Sequence, residues 1–288
     1  MSPDQIGAAR NFVLCNGRLL ERRLFAFHFD GGSAEAAVAA LAAYQNLDGG
    51  FGAGLEPDKR DPASQPVDVQ FALETLDGLG VMGGPMVLRA CDWLSSVTTK
   101  DGGVPFALPS VNAAPHAPWW AVAEDAPPAQ INPTAAIAGL LLKHGIVHPW
   151  LDEATVFCWR SIEAGARAEF HDLMPMIAFL ENAADRGRAD AALAQIAKVI
   201  MAPGVVALET DAQGYVHKPL EWAPRPESFC RALFDDRVLD AHLDALAARQ
   251  QADGGWPIFW EPISQGVALE WRGVATLQAL RTLSAYGR

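Results

Sequence analysis

A short motif recurs in this chain at widely separated positions. Residues 41–52 read LAAYQNLDGGFG and residues 246–257 read LAARQQADGGWP, and the two agree at Leu, two Ala, Gln, Asp, two Gly and an aromatic residue. A weaker copy, TTKDGGVPF, covers residues 98–106, and a degenerate one, ETDAQGYVH, covers residues 209–217. One motif repeated along a chain is typical of proteins built from stacked similar units. The sequence therefore predicts a repeat architecture.

The copies end helical patterns. Apolar residues precede them at steps of three and four, as in Ala34, Val38 and Leu41, which is the spacing of one helix face. Glycine then ends a helix because it adopts the left-handed C′ conformation without strain. A further helix of this set covers residues 150–163. A second set of helices is expected at residues 66–80, 132–145, 172–185, 226–235 and 264–286, and an N-terminal helix at 3–29. Nothing predicts a strand of any length, so we expect an all-α protein.

The motif Gln-x-x-Asp-Gly-Gly-Trp/Phe after an Ala/Leu-rich helix resembles the repeat of squalene–hopene cyclases and protein prenyltransferases. The resemblance implies an α/α toroid, a double ring of five to six helix hairpins with inner and outer helices, formed by residues 1–288 as a single domain. The motif is also similar to loops of some α/α-toroid pectate lyases. Because the motif belongs to the scaffold and toroids include non-enzymes, it does not by itself assign an activity.

Composition excludes several classes of protein. The chain is 50% hydrophobic, which rules out disorder, and its 22 basic against 34 acidic residues give a net charge of −12. That charge argues against nucleic acid and anionic membranes as partners, since both are bound through Lys and Arg. The longest uncharged stretch, residues 102–123, contains four prolines and is not expected to span a membrane. The N-terminal residues show no signal segment, and four widely spaced cysteines are predicted to be buried, reduced thiols. We therefore expect a cytoplasmic protein.

The predicted loops alternate in length. Long ones, at residues 48–65, 101–131, 203–225 and 253–264, connect outer to inner helices, whereas the connections from inner to outer helices are short. Long loops in compact domains are commonly functional, and in a toroid these would all emerge on one face. The N-termini of the inner helices would lie at the same face and carry partial positive charge. The sequence thus places a site there.

The long loops and the last inner helix supply the candidate residues. The candidate catalytic carboxylates are Glu56, Asp58, Glu261 and Glu270; Glu56 and Glu261 stand in the similar contexts Leu-Glu-Pro and Trp-Glu-Pro. Each could act as a general acid if burial raises its pKa. The candidate substrate-binding residues are His116, Trp119, Trp120, Tyr215, Trp222, Trp260, Trp271 and Arg272. The alternative is structural: the carboxylates cap helices and pair with Arg60, Arg225 and Arg272, and the tryptophans cover the rim.

The signatures that would transfer a specific activity are absent. The sequence contains no Asp-x-Asp-Asp acid of squalene–hopene cyclases, no Asp-x-Cys zinc motif of prenyltransferases and no phosphate-binding glycine loop. We therefore predict no cofactor and no metal. The favoured interpretation is a small terpenoid-cyclase-like enzyme that binds an apolar or isoprenoid-type small molecule in a central cavity. The alternatives are a non-catalytic toroid that binds a ligand or partner, and a glycan-active lyase or hydrolase. The sequence does not predict an oligomeric state.

Overall fold

The computed structural model describes residues 2–165 and 167–288, and this part of the chain is helical without a β-strand. Its α-helices are α1 (Pro3–Asn16), α2 (Leu19–Phe29), α3 (Ala34–Leu41), α4 (Pro66–Gly78), α5 (Gly84–Val97), α6 (Ile131–Lys143), α7 (Pro149–Glu163), α8 (Phe170–Asn182), α9 (Arg186–Ile200), α10 (Pro219–Trp222), α11 (Asp236–Ala248) and α12 (Gln265–Ala285). No described helix is long and apolar enough to cross a bilayer. The chain divides into two compact units, residues 41–199 and residues 1–40 with 200–288.

In the unit of residues 41–199, helices α4, α6 and α8 lie side by side, and α5 and α7 pack behind them. The contact between α6 and α8 is close because it is made at Gly139. A Cβ atom there would lie 2.4 Å from the carbonyl oxygen of Ala178, so only glycine fits. This row of helices carries the two loops, residues 48–65 and 101–131, that are described below.

In the other unit, α12 packs against α1, α2 and α11, and α10 packs against α11. The single N-terminal helix predicted at residues 3–29 is wrong: α1 and α2 are separate helices. Gly17 takes extended dihedral angles (φ −70°, ψ 153°) and breaks the helix. The helix predicted at residues 226–235 is also wrong, since the segment forms a short 3₁₀ turn, Phe229–Leu233. Pro224 and Pro226 restrict the backbone before it.

The two strong motif copies have the same hydrogen bonds. In the first, Nε2 of Gln45 donates to the carbonyl oxygens of Gly49 (2.8 Å) and Met86 (2.9 Å). In the second, Nε2 of Gln250 donates to Gly254 (2.9 Å) and to Gln5 (2.8 Å). Each glutamine therefore joins its own turn to the first turn of a neighbouring outer helix, α5 or α1.

The glycines of three copies require this geometry as well. The first glycine of each pair has a φ of 87° to 95°, and its Cβ position is 2.1 to 2.9 Å from a carbonyl oxygen of an outer helix. The second glycine packs against an aromatic ring four residues further along that helix. These contacts pair Gly49 and Gly50 with Arg89 and Trp93, Gly102 and Gly103 with Glu153 and Phe157, and Gly254 and Gly255 with Ala8 and Phe12. The motif thus lets a turn touch the backbone of the next outer helix.

The degenerate copy at residues 209–217 does not make this contact. Gly214 has a φ of 87°, but a Cβ atom there would meet nothing within 4 Å. The prediction for the cysteines also needs one correction, because Cys15 is exposed whereas Cys91, Cys158 and Cys230 are buried free thiols.

Candidate functional site

The loop at residues 48–65 is a compact segment, which we call loop one. Ala53 takes the left-handed conformation (φ 56°), which is unusual for a residue with a side chain, and Gly54 follows at φ 75°. The chain then makes a turn over residues 56–59, with Pro57 second and a hydrogen bond of 3.5 Å from the Lys59 N–H to the Glu56 carbonyl oxygen. This turn fixes the first two candidate carboxylates, Glu56 and Asp58.

Loop one encloses an unusual set of buried charges, which we call the loop-one cluster: Glu56, Asp58, Lys59, Asp61 and Asp68. Each of these residues is at most 2% exposed. Asp68 lies in the first turn of α4 and holds the turn, because its Oδ1 accepts the backbone N–H of Glu56 at 2.8 Å and its Oδ2 pairs with the Lys59 ammonium. Charged residues are almost never this buried unless they are paired. The ion pair between Asp68 and Lys59 therefore accounts for the burial of both side chains.

Burial has a large effect on the Glu56 carboxyl. Burial raises its pKa from 4.5 to about 8; the Lys59 charge and the N–H of Asp58 lower it, and the charges of Asp58 and Asp68 raise it further. Glu56 is therefore predominantly protonated at neutral pH. Its Oε2 atom is buried and has no hydrogen-bond partner among the described residues.

The loop at residues 101–131, loop two, packs on this turn. The Ala117 N–H donates to the Asp58 carbonyl oxygen at 2.8 Å, and the Arg60 N–H donates to Pro115 at 2.9 Å. Trp120, one 3₁₀ turn after Ala117, is buried and stacks on Phe106 with ring centroids 4.6 Å apart. Its indole N–H is enclosed without a hydrogen-bond partner in the described structure.

The other candidates of loop two lie at its surface. His116 is half-buried, and its Nδ1 lies 2.9 Å from the Ala117 carbonyl oxygen. Trp119 is half exposed. Behind them a closed network joins the two loops: Nε2 of Gln65 donates to Asp61 and to Ser110, each at 2.8 Å, and the Ser110 hydroxyl donates to Asp61 at 2.7 Å.

The remaining candidates lie in the unit of residues 1–40 and 200–288. Trp260 and Trp271 are half-buried and meet edge to face with centroids 5.1 Å apart. Glu261 is exposed and Glu270 half-buried. Tyr215 is exposed and meets the His217 ring edge-on.

Two predicted binding residues of this unit are part of its packing. Trp222 is 1% exposed and belongs to the core. Arg272 makes two hydrogen bonds with Asp253, of 2.8 and 2.7 Å, and its guanidinium lies 4.4 Å from the centre of the Phe12 ring. It therefore stabilises the second motif copy. The pairing of Arg272 with a rim glutamate, considered from the sequence, is replaced by this contact with the aspartate of the motif.

The partners of Glu56 could not be read from the sequence. Arg60, Arg225 and Arg272 were the cations expected to pair with the candidate carboxylates, whereas Lys59 is the cation that acts on Glu56 and pairs with Asp68. A signal for Asp68 was present, because Asp68, Ala72 and Leu76 follow each other at four-residue steps and the latter two are buried. A carboxylate in such an apolar stripe indicates a buried charge with a partner.

No group of three or more His, Cys, Asp or Glu side chains within residues 2–165 and 167–288 has the arrangement of a metal site.

Solved structures share this architecture. A protein from Actinoplanes matches with a TM-score of 0.56 and 16% identity, over 98% of this chain and 99% of that chain. The type II terpene cyclase MstE from Scytonema, in an arginine-to-alanine variant and in complex with its substrate geranylgeranyl dihydroxybenzoate, matches with a TM-score of 0.55 and 14% identity, over 98% of this chain and 97% of that chain. No protein-family model and no curated protein matches the sequence. At these identities the likeness establishes the fold alone, and the predicted fold class, an all-α α/α toroid, is confirmed.

Proposed function

We propose that the protein is a terpenoid-cyclase-like enzyme that binds an apolar, isoprenoid-type small molecule and starts its reaction with Glu56 as general acid. The observation that carries this proposal is the Glu56 carboxyl, which is buried, protonated at neutral pH and, at Oε2, without a hydrogen-bond partner in the described part of the chain. A general acid acts best when its pKa lies near the working pH, because it then holds its proton and still releases it.

The reaction we propose is protonation of a carbon–carbon double bond. The π electrons of the alkene form a new C–H bond with the Glu56 proton, which leaves a carbocation on the substrate and a carboxylate at Glu56. The cation is consumed when a ring closes and a proton is finally lost to a base. The Lys59 charge favours the Glu56 carboxylate and so assists the first step. Aromatic faces stabilise a cation by roughly 0.5–2 kcal/mol each, and Trp119 and Trp120 are the candidates beside loop one.

Two unsatisfied polar atoms support a ligand site here. Oε2 of Glu56 and Nε1 of Trp120 are both buried without a hydrogen bond among the described residues, and the segments that carry them are joined through Ala117 and Asp58. Native proteins rarely leave buried polar atoms unpaired, and the exceptions are commonly found at functional or water-binding sites. We propose that a substrate or an ordered water molecule occupies this position.

The other candidates take secondary roles in the proposal. Asp58 donates its N–H to the Glu56 carboxyl and orients the acid. Glu261 and Glu270 remain candidates, although neither is buried as Glu56 is. His116 is proposed to contact the ligand beside loop one, and Tyr215, Trp260 and Trp271 stay candidate ligand contacts of their own unit. The fold shared with a terpene cyclase that binds a geranylgeranyl compound favours an isoprenoid over a sugar as the ligand.

The test compares two variants in which the same substitution, Glu to Gln, is made at different positions. Geranylgeraniol, geranylgeranyl diphosphate and squalene are incubated with the wild-type protein, with Glu56→Gln and with Glu124→Gln, which alters an exposed carboxylate of loop two. Products are measured by gas chromatography and mass spectrometry. We expect Glu56→Gln to lose 10²-fold to 10⁴-fold in rate, as for removal of a general acid, and Glu124→Gln to keep the wild-type rate. Equal rates in all three proteins would contradict the acid role.

The alternatives give different outcomes in a thermal-shift assay. Stabilisation by an isoprenoid without any turnover would favour the non-catalytic toroid. Stabilisation by oligouronides alone would favour a glycan-active protein. No shift with either class would contradict small-molecule binding.

A further inference from the structure

Asp68 connects both ends of the turn that carries the acid. One carboxylate oxygen accepts the N–H of Glu56, the first residue of the turn, at 2.8 Å. The other pairs with the ammonium of Lys59, its last residue. Asp68 itself is fixed because it lies in the first turn of α4 and is fully buried. The Asp68 side chain therefore fixes the position of Glu56 relative to α4.

More negative than positive side chains act on the Glu56 carboxyl. Asp58 and Lys59 from loop one and Asp68 from α4 act electrostatically on its carboxyl. From loop two, the half-buried His116 lies opposite Lys59 in an isolated antiparallel bridge. Arg60 directs its guanidinium to Gly54, where a Cβ atom would lie 2.9 Å from Nη1. The Lys59 ammonium therefore acts on the Glu56 carboxyl while it forms its ion pair with Asp68.

We propose that Lys59 and Asp68 form a positioning pair for the Glu56 acid: the pair holds the turn of residues 56–59 on α4 and keeps the ammonium on Asp68, so that the proton of the cluster stays on Glu56. The proposal rests on the proposed role of Glu56 as the acid. It assigns no contact with substrate to Lys59 or Asp68, which act through Glu56.

The two halves of the pair have opposite electrostatic effects on Glu56. Replacing Asp68 by Asn removes a neighbouring negative charge and frees the ammonium to pair with Glu56, so the pKa of Glu56 falls. Replacing Lys59 by Met removes the positive charge and leaves Asp68 as an uncompensated neighbour, so the pKa of Glu56 rises. A purely structural role would destabilise the protein in both variants without this difference in sign.

The experiment is a ¹³C NMR titration of the full chain labelled at the glutamate side-chain carboxyl carbons. The Glu56 resonance is assigned by its loss in Glu56→Gln. We expect a wild-type pKa of about 8, a decrease of about one pH unit or more in Asp68→Asn and an increase of similar size in Lys59→Met. Lys59→Arg, which keeps the charge, is the matched control and stays near wild type. Shifts of the same sign in Asp68→Asn and Lys59→Met, or no shift in either, would overturn the proposal.

A double variant separates the effect of the pair on the position of Glu56 from its effect on the charge around Glu56. It also provides the test if one of the single variants does not fold. Apolar residues often replace a buried ion pair without loss of stability, so Lys59→Met with Asp68→Leu is expected to fold. Its two charge changes oppose each other, so the pKa of Glu56 changes less than in Lys59→Met alone, but the acceptor for the Glu56 N–H is gone. We expect turnover to fall at least tenfold, and wild-type turnover would overturn the positioning role. If no isoprenoid is converted by the wild-type protein, the proposed function fails, while the titration still decides the role of the pair.

Discussion

The ionisation of Glu56 makes the stability of the protein depend on pH in a specific direction. In the folded protein the pKa of this carboxyl is about 8, against an ordinary value of 4.5. Between these values the folded state binds one proton more than the unfolded state. Raising the pH therefore favours unfolding, and the stability lost accumulates from about pH 4.5 to about pH 8.

The size of this effect follows from the gap between the two pKa values. Each pH unit of difference corresponds to about 1.4 kcal/mol, so the gap predicts a loss of about 5 kcal/mol if the turn of residues 56–59 stays fixed. The loss is smaller if the Lys59 ammonium moves from Asp68 to the ionised Glu56. The comparison with Glu56→Gln isolates this contribution, since both proteins share all other titrating groups.

The assay is urea unfolding followed by circular dichroism at a series of pH values. At pH 5 we expect wild type and Glu56→Gln to differ by about 1 kcal/mol or less, because both side chains are then neutral. At pH 8.5 we expect Glu56→Gln to be more stable by roughly 3–5 kcal/mol. The control Glu124→Gln should follow wild type throughout. A difference between wild type and Glu56→Gln that is the same at pH 5 and pH 8.5 would refute the assignment of the proton to Glu56.

Two further predictions concern the repeat motif. Gly254→Ala should lower the free energy of unfolding by about 3 kcal/mol or more, because its Cβ atom would lie 2.1 Å from the Ala8 carbonyl oxygen. The control Gly214→Ala, at a similar φ but in open space, should cost only about 1 kcal/mol; equal losses in thermal unfolding would contradict a role in packing. Arg272→Met should cost about 1 kcal/mol through its bonds to the motif carboxylate, Asp253, and this part of the difference should be lost below the lowered pKa of Asp253. An undiminished difference at acid pH would show that the ion pair does not contribute.

The repeat made the fold predictable, because the residues of the motif themselves require the turn and the helix contact that they form. Gly49 and Gly254 need a positive φ and a close approach that no other residue permits, so the DGG sequence specifies both the turn and its contact with the next helix. The helices predicted at residues 66–80 and 264–286 are confirmed within a few residues. Periodicity could not show the break at Gly17, where the apolar pattern continues on both sides.

The site was predictable in part. Glu56 and Asp58 were candidates because they lie in a long loop between two helices, but their burial could not be derived from the sequence. The ion pair could not be derived, since its members, Lys59 and Asp68, are joined only when loop one folds back over the start of α4. The bonds of Arg272 to Asp253 could not be derived either, because the two residues lie 19 positions apart in the sequence. The single-domain assignment and the catalytic roles stay predictions.

The central claim is that a proton from Glu56 starts the reaction, and an incubation in deuterium oxide tests it most directly. The acidic proton of Glu56 exchanges with the solvent, so a product formed by its transfer carries deuterium at a carbon that belonged to a double bond in the substrate. Mass spectrometry and NMR of the product should show one deuterium at that carbon, and Glu56→Gln should give at most about one hundredth of the labelled product. A product without deuterium at that position, or equal labelled product from Glu56→Gln, would contradict the account.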